Sequence, residues 1–193
     1  MPEVMGLEQG TPEWLSFRRH LRMASETPGI MGLNKYSSPE RTITNKVRAV
    51  EVEQTPAMAH GHEQEPLARA WYHEAFGELM RPAVWQLGQY GASLDGINLD
   101  GDRILEVKSP WKDPQTSERW TLAEQGKYTE ADYAQVQHQL YVCDARACDL
   151  LIWDWVSQSG LVVEILPDMT YWQAIWKAWN RYEKELAECS ITL

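Results

Sequence analysis

No stretch of this sequence approaches the roughly 20 consecutive apolar residues that a helix needs to cross a bilayer, so no membrane partner is expected. The opening residues, Met1 to Met5, lack the basic stretch and following apolar segment of a signal peptide. Three cysteines (Cys143, Cys148 and Cys189), with no CxxC pair among them, are too few for a disulfide framework. Free thiols in a reducing, cytoplasmic compartment are the expectation. Repeats, low-complexity tracts and Gly/Ser linkers are missing as well. That leaves a single domain over residues 1–193 as the simplest partition, at a length typical of one domain.

Positive charge is also in short supply. Lys and Arg number 18 against 28 Asp and Glu, a formal net charge of -10. Taken alone this argues against a nucleic-acid partner, because phosphate neutralisation needs Lys and Arg. The distribution softens the argument. Residues 1–50 hold seven basic residues (Arg18, Arg19, Arg22, Lys35, Arg41, Lys46, Arg48) against five acidic ones, a net of +2, so the remainder carries -12. A mildly basic N-terminal part beside an acidic body suits an enzyme that grips phosphates and concentrates cations. A solvated acidic surface with no bearing on partners is the plainer reading, and charge does not choose between them.

What is present is a clear run of start and stop signals. Thr11-Pro12-Glu13 combines a capping hydroxyl with a proline at the first helical position, and Trp14, Phe17 and Leu21 then form one apolar face. Ser38-Pro39-Glu40 repeats the signal and predicts a helix to about Val50. A long helix is expected over 57–76, ending at Gly77. Residues 82–87 and 104–108 read as strands, bounded by Gly91, Gly96 and Asp100-Gly101. Thr129 to Asp132 resembles a capping box that opens a helix to about Val142. Residues 149–156 and 161–166 read as further strands, and 168–188 as a C-terminal helix with Trp172, Trp176 and Trp179 on one face. Helices first, then strands interrupted by a helix, predict an α/β domain with a central mixed β-sheet flanked by helices.

The segment richest in chemistry is Ser93-Leu94-Asp95-Gly96 followed by Ile104-Leu105-Glu106-Val107-Lys108. Glu106 and Lys108 lie two apart on a predicted strand, so they share a face. Asp95 ends the preceding strand and reaches that face if the two strands form a hairpin. Two carboxylates and an ammonium at one spot suit Mg²⁺ and a water to be oriented or deprotonated. Alone the pattern is weak: a chain of this composition holds roughly one [DE]xK triplet by chance, and a strand edge facing water reads the same way.

The surroundings carry a resemblance. Asp95 with Glu106-Val107-Lys108 resembles the PD-(D/E)XK nuclease signature, with Leu94 in place of the usual proline. Gly61-His62-Glu63-Gln64-Glu65-Pro66-Leu67-Ala68-Arg69 is similar to the helix of lambda-type exonucleases that offers a further acidic residue, here Glu65. Asp132 to Gln139 is similar to the AQVQ helix of that family, whose first glutamine, here Gln135, points into the site. Trp14 to Arg18, with Ala24-Ser25-Glu26, resembles the segment whose arginine and serine hold a 5′-phosphate, which implicates Arg18 and Ser25. Ser93 falls where the family has another phosphate-contacting serine. Four motifs in the correct order run from about Thr11 to Val142. The resemblance is therefore to phage recombination exonucleases of the lambda, or YqaJ-like, type, and it implies a restriction-endonuclease-like core.

It further implies a Mg²⁺-dependent 5′-to-3′ exonuclease that digests one strand of linear duplex DNA to 5′-mononucleotides, leaving 3′ tails for a single-strand annealing protein. Asp95, Glu106 and the Val107 carbonyl hold one ion, Glu65 helps with a second, and Mn²⁺ can substitute. Lys108 and Gln135 position the attacking water. A homotrimeric ring around DNA ends and a setting in the cytoplasm of a phage-carrying bacterium belong to the same implication. Two other readings remain: a structure-specific endonuclease on the same core, and a catalytically silent DNA-binding or assembly module. Four cysteines, which hold an iron–sulfur cluster in some relatives, are not available. His60, His62 and His138 lack the spacing of a zinc site, and the C-terminal tryptophans read as core or subunit contacts rather than base-stacking platforms.

Overall fold

The computed structural model describes residues 3–4, 6–48 and 54–190. Along the chain come α1 (Pro12–Arg19), β1 (Arg22–Met23), a 3-10 turn at Ala24–Glu26, α2 (Thr27–Ile30) and α3 (Pro39–Val47). Then follow α4 (Pro56–Phe76), β2 (Arg81–Leu87), β3 (Tyr90–Ile97), β4 (Arg103–Lys108), a 3-10 turn at Pro114–Thr116 and α5 (Glu118–Ala123). The chain ends with α6 (Glu130–Cys143), β5 (Ala147–Asp154), β6 (Ser159–Ile165) and α7 (Met169–Ser190). The starts at Thr11, Ser38 and Thr129 are where the sequence puts them, and α4 begins one residue before the expected 57, capped by Thr55. The hydroxyls of Thr11, Ser38, Thr55 and Thr129 accept from the amides of Trp14, Arg41, Met58 and Asp132 at 3.1–3.3 Å. Each such cap contributes about 1 kcal/mol. Helix α4 stops at Gly77 in the left-handed conformation, as expected. The helix predicted to Val50 is shorter: α3 ends at Val47 with Arg48 as its cap, and residues 49 and 50 lie outside the described residues.

Among the described residues the sheet has six strands. Strand β2 runs antiparallel along one edge of β3, from Arg81↔Ile97 to Leu87↔Tyr90. The opposite edge is shared. Strand β1 lies parallel to its start (Arg22↔Tyr90), and β4 antiparallel to its end (Gly96↔Leu105, Ile97↔Ile104). Between these pairings no described strand lies beside residues 92–95 on that edge. Strand β5 then joins β4 in parallel, and β6 closes the sheet antiparallel to β5. This is the mixed, helix-flanked sheet that the sequence predicts.

Helix α4 covers one face, where Ala68 and Tyr72 pack with Leu105, Val107, Leu151 and Trp153. The other face carries the larger core, with Leu94, Ile97, Ile104, Leu150 and Ile152 against Val136 and Leu140 of α6 and Trp179 of α7. Alternate residues of β4 and β5 therefore serve opposite cores. Strand β3 breaks that rule. Leu94 and Ile97, three apart, both face the α6 core. The pairing with β2 explains it, because the register slips by one residue between Arg81 and Ala83. An extra residue bulges from β3 at Asp95-Gly96, and such bulges bend a strand and re-aim a side chain.

The helices of the α6 face are tied together by a buried polar chain. The Trp179 indole donates to Thr27 Oγ1 (3.1 Å), and that hydroxyl lies 2.6 Å from His138 Nδ1. His138 is fully buried, and burial pulls its pKa down to about 3. The folded protein therefore keeps a neutral ring where the unfolded chain, titrating near 6.5, takes up a proton. This contribution to stability is complete above about pH 6.5 and shrinks as pH falls toward 3, by up to about 1.4 kcal/mol per pH unit. His138→Gln is expected to flatten the dependence of the unfolding temperature on pH between 6.5 and 4. Equal slopes for the variant and the parent would remove His138 from the account of acid sensitivity.

Candidate active site

The end of β4 places Glu106 and Lys108 on the face covered by α6. Glu106, 2% exposed, accepts from Lys108 Nζ and Gln135 Nε2 at Oε1 (both 2.6 Å) and from Gln139 Nε2 at Oε2 (2.6 Å). Lys108 also donates to Gln135 Oε1 (3.0 Å). Gln135 and Gln139 are four apart, one above the other on the inner face of α6. The sequence motif pointed to Gln135 alone. The i, i+4 spacing is the signal that also finds Gln139.

Asp95 arrives from the other direction. At the bulge its Oδ2 accepts from the Val107 amide (2.8 Å), and Arg69 of α4 donates to its carbonyl (3.0 Å). The amide and carbonyl of one strand residue point the same way, so the Val107 carbonyl also faces Asp95, on the stretch of β4 that β3 leaves unpaired. Gly96 has no side chain for a reason of space: a Cβ there meets Met80 Cβ at 2.8 Å and Leu105 Cβ at 3.0 Å. Helix α4 supplies Glu65, 3.3 Å from His62 Nδ1. His62, one turn before Glu65 on the same helix, thus contacts that carboxylate directly.

Electrostatics ties the carboxyls together. Burial, then the charges of Glu106 and Glu65, push Asp95 well above the usual carboxylate range. Burial also raises Glu65, against the pull of His62 and Arg69 and with help from Glu106. Burial acts to strip Lys108 of its proton, but Glu106 and Asp132 more than offset it, and Lys108 lies above its ordinary value as an ammonium. Three carboxyls thus share one nearby ammonium. Among the described residues no three Asp, Glu, His or Cys side chains are already arranged to enclose a metal ion. Both Glu106 oxygens are instead engaged by Lys108 and the two glutamines.

The predicted phosphate residues form a second cluster. Arg18 Nη2 donates to Ser25 Oγ (3.0 Å), and its guanidinium lies 4.4 Å from the centre of the Trp14 ring. The Trp14 indole donates to Ser93 Oγ (2.9 Å). All three predicted residues therefore gather around one tryptophan, and both serine hydroxyls keep a proton to donate. Lys46 of α3 braces the cluster through the Arg18 carbonyl (2.9 Å) and Glu26 (2.6 Å). Burial lowers the pKa of Arg18, partly countered by Glu26. A cavity of about 650 Å³ is lined by Ser25 of this cluster together with Lys108 and Gln135 of the carboxylate centre. Its wall includes Arg119, Tyr128 and Asp132, to which the sequence assigned no site role. No described helix is long and apolar enough to cross a membrane.

The family of the YqaJ-like viral recombinase domain matches residues 13–146. Among solved structures, an alkaline exonuclease (LHK-Exo) from Laribacter hongkongensis is 25% identical, with 92% of this chain and 93% of that one aligned at a TM-score of 0.74. LHK-Exo in complex with dAMP aligns over the same shares at 24% identity and a TM-score of 0.73. A phage related exonuclease from Haemophilus somnus 129PT shares the fold at 16% identity, over 88% of this chain and 97% of that one, with a TM-score of 0.61. No curated protein matches by sequence. With more than half of its length matched, the chain belongs to the YqaJ-like viral recombinase domain family, and its likeness to alkaline exonucleases supports a nuclease role.

Proposed function

We propose that the protein is a Mg²⁺-dependent exonuclease that removes 5′-mononucleotides from one strand of linear duplex DNA, starting at a 5′-phosphorylated end. The observation that carries this reading is the cavity that joins Ser25, partner of Arg18, to Lys108 and Gln135, partners of Glu106. One face suits a terminal phosphate and the other a scissile one. A product tail with a 3′ end, a single-strand annealing protein as recipient, a homotrimeric ring and the cytoplasm of a phage-carrying bacterium complete the proposal, with one domain per chain. The complex of LHK-Exo with dAMP, in that protein, is in keeping with a mononucleotide product.

The donor set fits a hard divalent cation. Asp95, Glu106, Glu65 and the Val107 carbonyl offer only oxygen, and three carboxyls exceed the positive charge nearest them. Gln139 Oε1, buried without a donor among the described residues, is an acceptor that a hydrated ion satisfies. When bound, one Mg²⁺ or two would polarise the phosphoryl oxygens and sharpen a water nucleophile, and Mn²⁺ fits the same donors. The protein's own contribution is positional. Lys108, an ammonium, donates rather than accepts, so it orients the water and offsets charge that builds on the phosphate. Gln135 fixes Lys108 and Glu106 relative to each other. Arg18 draws the terminal phosphate in by a forked contact, which a lysine lacks.

The test is digestion of linear duplex DNA phosphorylated on one 5′ end only, with Mg²⁺ and then EDTA, beside a covalently closed circle. Loss of the phosphorylated strand alone, stopped by EDTA and absent on the circle, is the expected result. Cutting of the circle would make the enzyme an endonuclease. Arg18→Ala is expected to shrink the preference for phosphorylated over hydroxyl ends by about 10-fold or more, the size of a charged hydrogen-bonded contact. An unchanged preference would move the phosphate pocket elsewhere.

A further inference from the structure

Arg119 has the placement of a ligand-binding residue that no motif assigned. It stands on α5, in the wall of the same cavity as Ser25, Lys108 and Gln135. Its Nε and Nη2 donate to Oδ2 and Oδ1 of Asp132 at 2.7 and 2.8 Å. Nη1 makes no hydrogen bond among the described residues. The Asp132 side chain is 3% exposed and the Arg119 side chain 40%, so a buried carboxylate holds the fork from behind while its front edge stays open. Asp132 is itself fixed by Thr129 Oγ1 (2.7 Å) at the start of α6, three residues before Gln135.

A purely structural pair is an expensive way to join two elements, since burying a carboxylate costs several kcal/mol before any gain. Helix α5, moreover, packs on the 3-10 turn before it and on β5 and β6. A forked cation aimed into a polar cavity is what phosphate recognition uses. Arg119 shares the cavity with Ser25, which holds Arg18, and with Lys108 and Gln135, which hold Glu106. With the terminal phosphate assigned to Arg18, Ser25 and Ser93 and the scissile one to Lys108 and Gln135, the next phosphate along the strand is left for Arg119.

We propose that Arg119 is a further DNA-binding residue, whose guanidinium takes the phosphate on the 3′ side of the scissile bond and which Asp132 aims as a positioning residue. The proposal rests on the exonuclease reading for the identity of that phosphate. Its test is binding rather than cleavage, so the two fail separately. Fluorescence anisotropy in EDTA would compare the parent, Arg119→Gln, Arg119→Lys and Asp132→Asn on a 5′-phosphorylated duplex. Companion duplexes carry an uncharged methylphosphonate at one internal position each.

The parent is expected to lose about 10-fold in affinity when the phosphate between the second and third nucleotides is neutralised, the worth of one charge-assisted contact. Arg119→Gln should show a similar loss on ordinary DNA and no further loss on that one modified duplex. Arg119→Lys should recover part of the affinity, and Asp132→Asn should fall between. A pair that merely ties α5 to α6 would lower the unfolding temperature and leave the methylphosphonate pattern as in the parent. That pattern, parental affinity in Arg119→Gln, or lost sensitivity at a different phosphate would each overturn the proposal. Cleavage by the parent with Mg²⁺ separately reports on the nuclease reading.

Discussion

Glu106→Gln and Lys108→Ala are each expected to slow strand digestion by about 10³-fold or more, the effect of losing roughly 4 kcal/mol of transition-state stabilisation. Glutamine keeps the shape of Glu106 and removes its charge, so the change tests electrostatics rather than packing. Its amide nitrogen must then face one of three donors, those of Lys108, Gln135 and Gln139, which costs some stability without opening a cavity. Lys108→Ala leaves Glu106 with both glutamines, so its buried carboxylate keeps hydrogen-bond partners. Both variants should therefore unfold cooperatively and keep the parent's far-ultraviolet circular dichroism. Initial rates on 5′-phosphorylated duplex, measured beside thermal unfolding, decide the matter. A folded variant within tenfold of the parent rate would remove that residue from the catalytic centre.

The reach of the sequence was uneven, for reasons that particular residues show. Helix starts were legible because a capping hydroxyl followed by proline, as at Thr11-Pro12 and Ser38-Pro39, is a local signal with a local cause. The pairing of Glu106 with Lys108 was legible because strand periodicity forces residues two apart to one face. The gathering of Arg18, Ser25 and Ser93 was implied by resemblance, and four-residue spacing puts Trp14 beside Arg18 on one helix face, but no spacing revealed the bond from the Trp14 indole to Ser93. The shortest elements, β1 and α2, carry too few residues for any period to show. Arg119 was not legible at all. Its meaning depends on Asp132, thirteen positions away on another helix, and on a cavity that exists only after folding. Asp95 lay between these cases. Its presence beside Glu106 follows from a hairpin, but its aim depends on a bulge that the alternation of apolar residues conceals.

That bulge leads to the second large effect. Gly96→Ala is expected to lower stability by about 1–3 kcal/mol, the usual cost of overpacking a filled core, and to reduce digestion by about 100-fold, the cost of displacing a reacting group by about 1 Å. The added Cβ meets Met80 Cβ and Leu105 Cβ at 2.8 and 3.0 Å. Both are rooted in the backbone and cannot swing aside, so β3 must move away from β4 where the two strands meet, at Gly96↔Leu105. Asp95 is the next residue, and its contact with the Val107 amide is made across the same gap. Gly91→Ala is the informative companion. Its Cβ meets Met23 Sδ at 2.7 Å and Leu21 Cδ1 at 3.0 Å, the mobile ends of flexible side chains that can give way. It should cost less stability and leave digestion within a few-fold of the parent, being four residues from Asp95. Thermal unfolding and initial rates for the two variants separate general overpacking from loss of the bulge. If Gly96→Ala kept its rate while losing stability, Asp95 would not depend on the bulge for its aim, and the spacing of β3 from β4 would be a matter of folding alone.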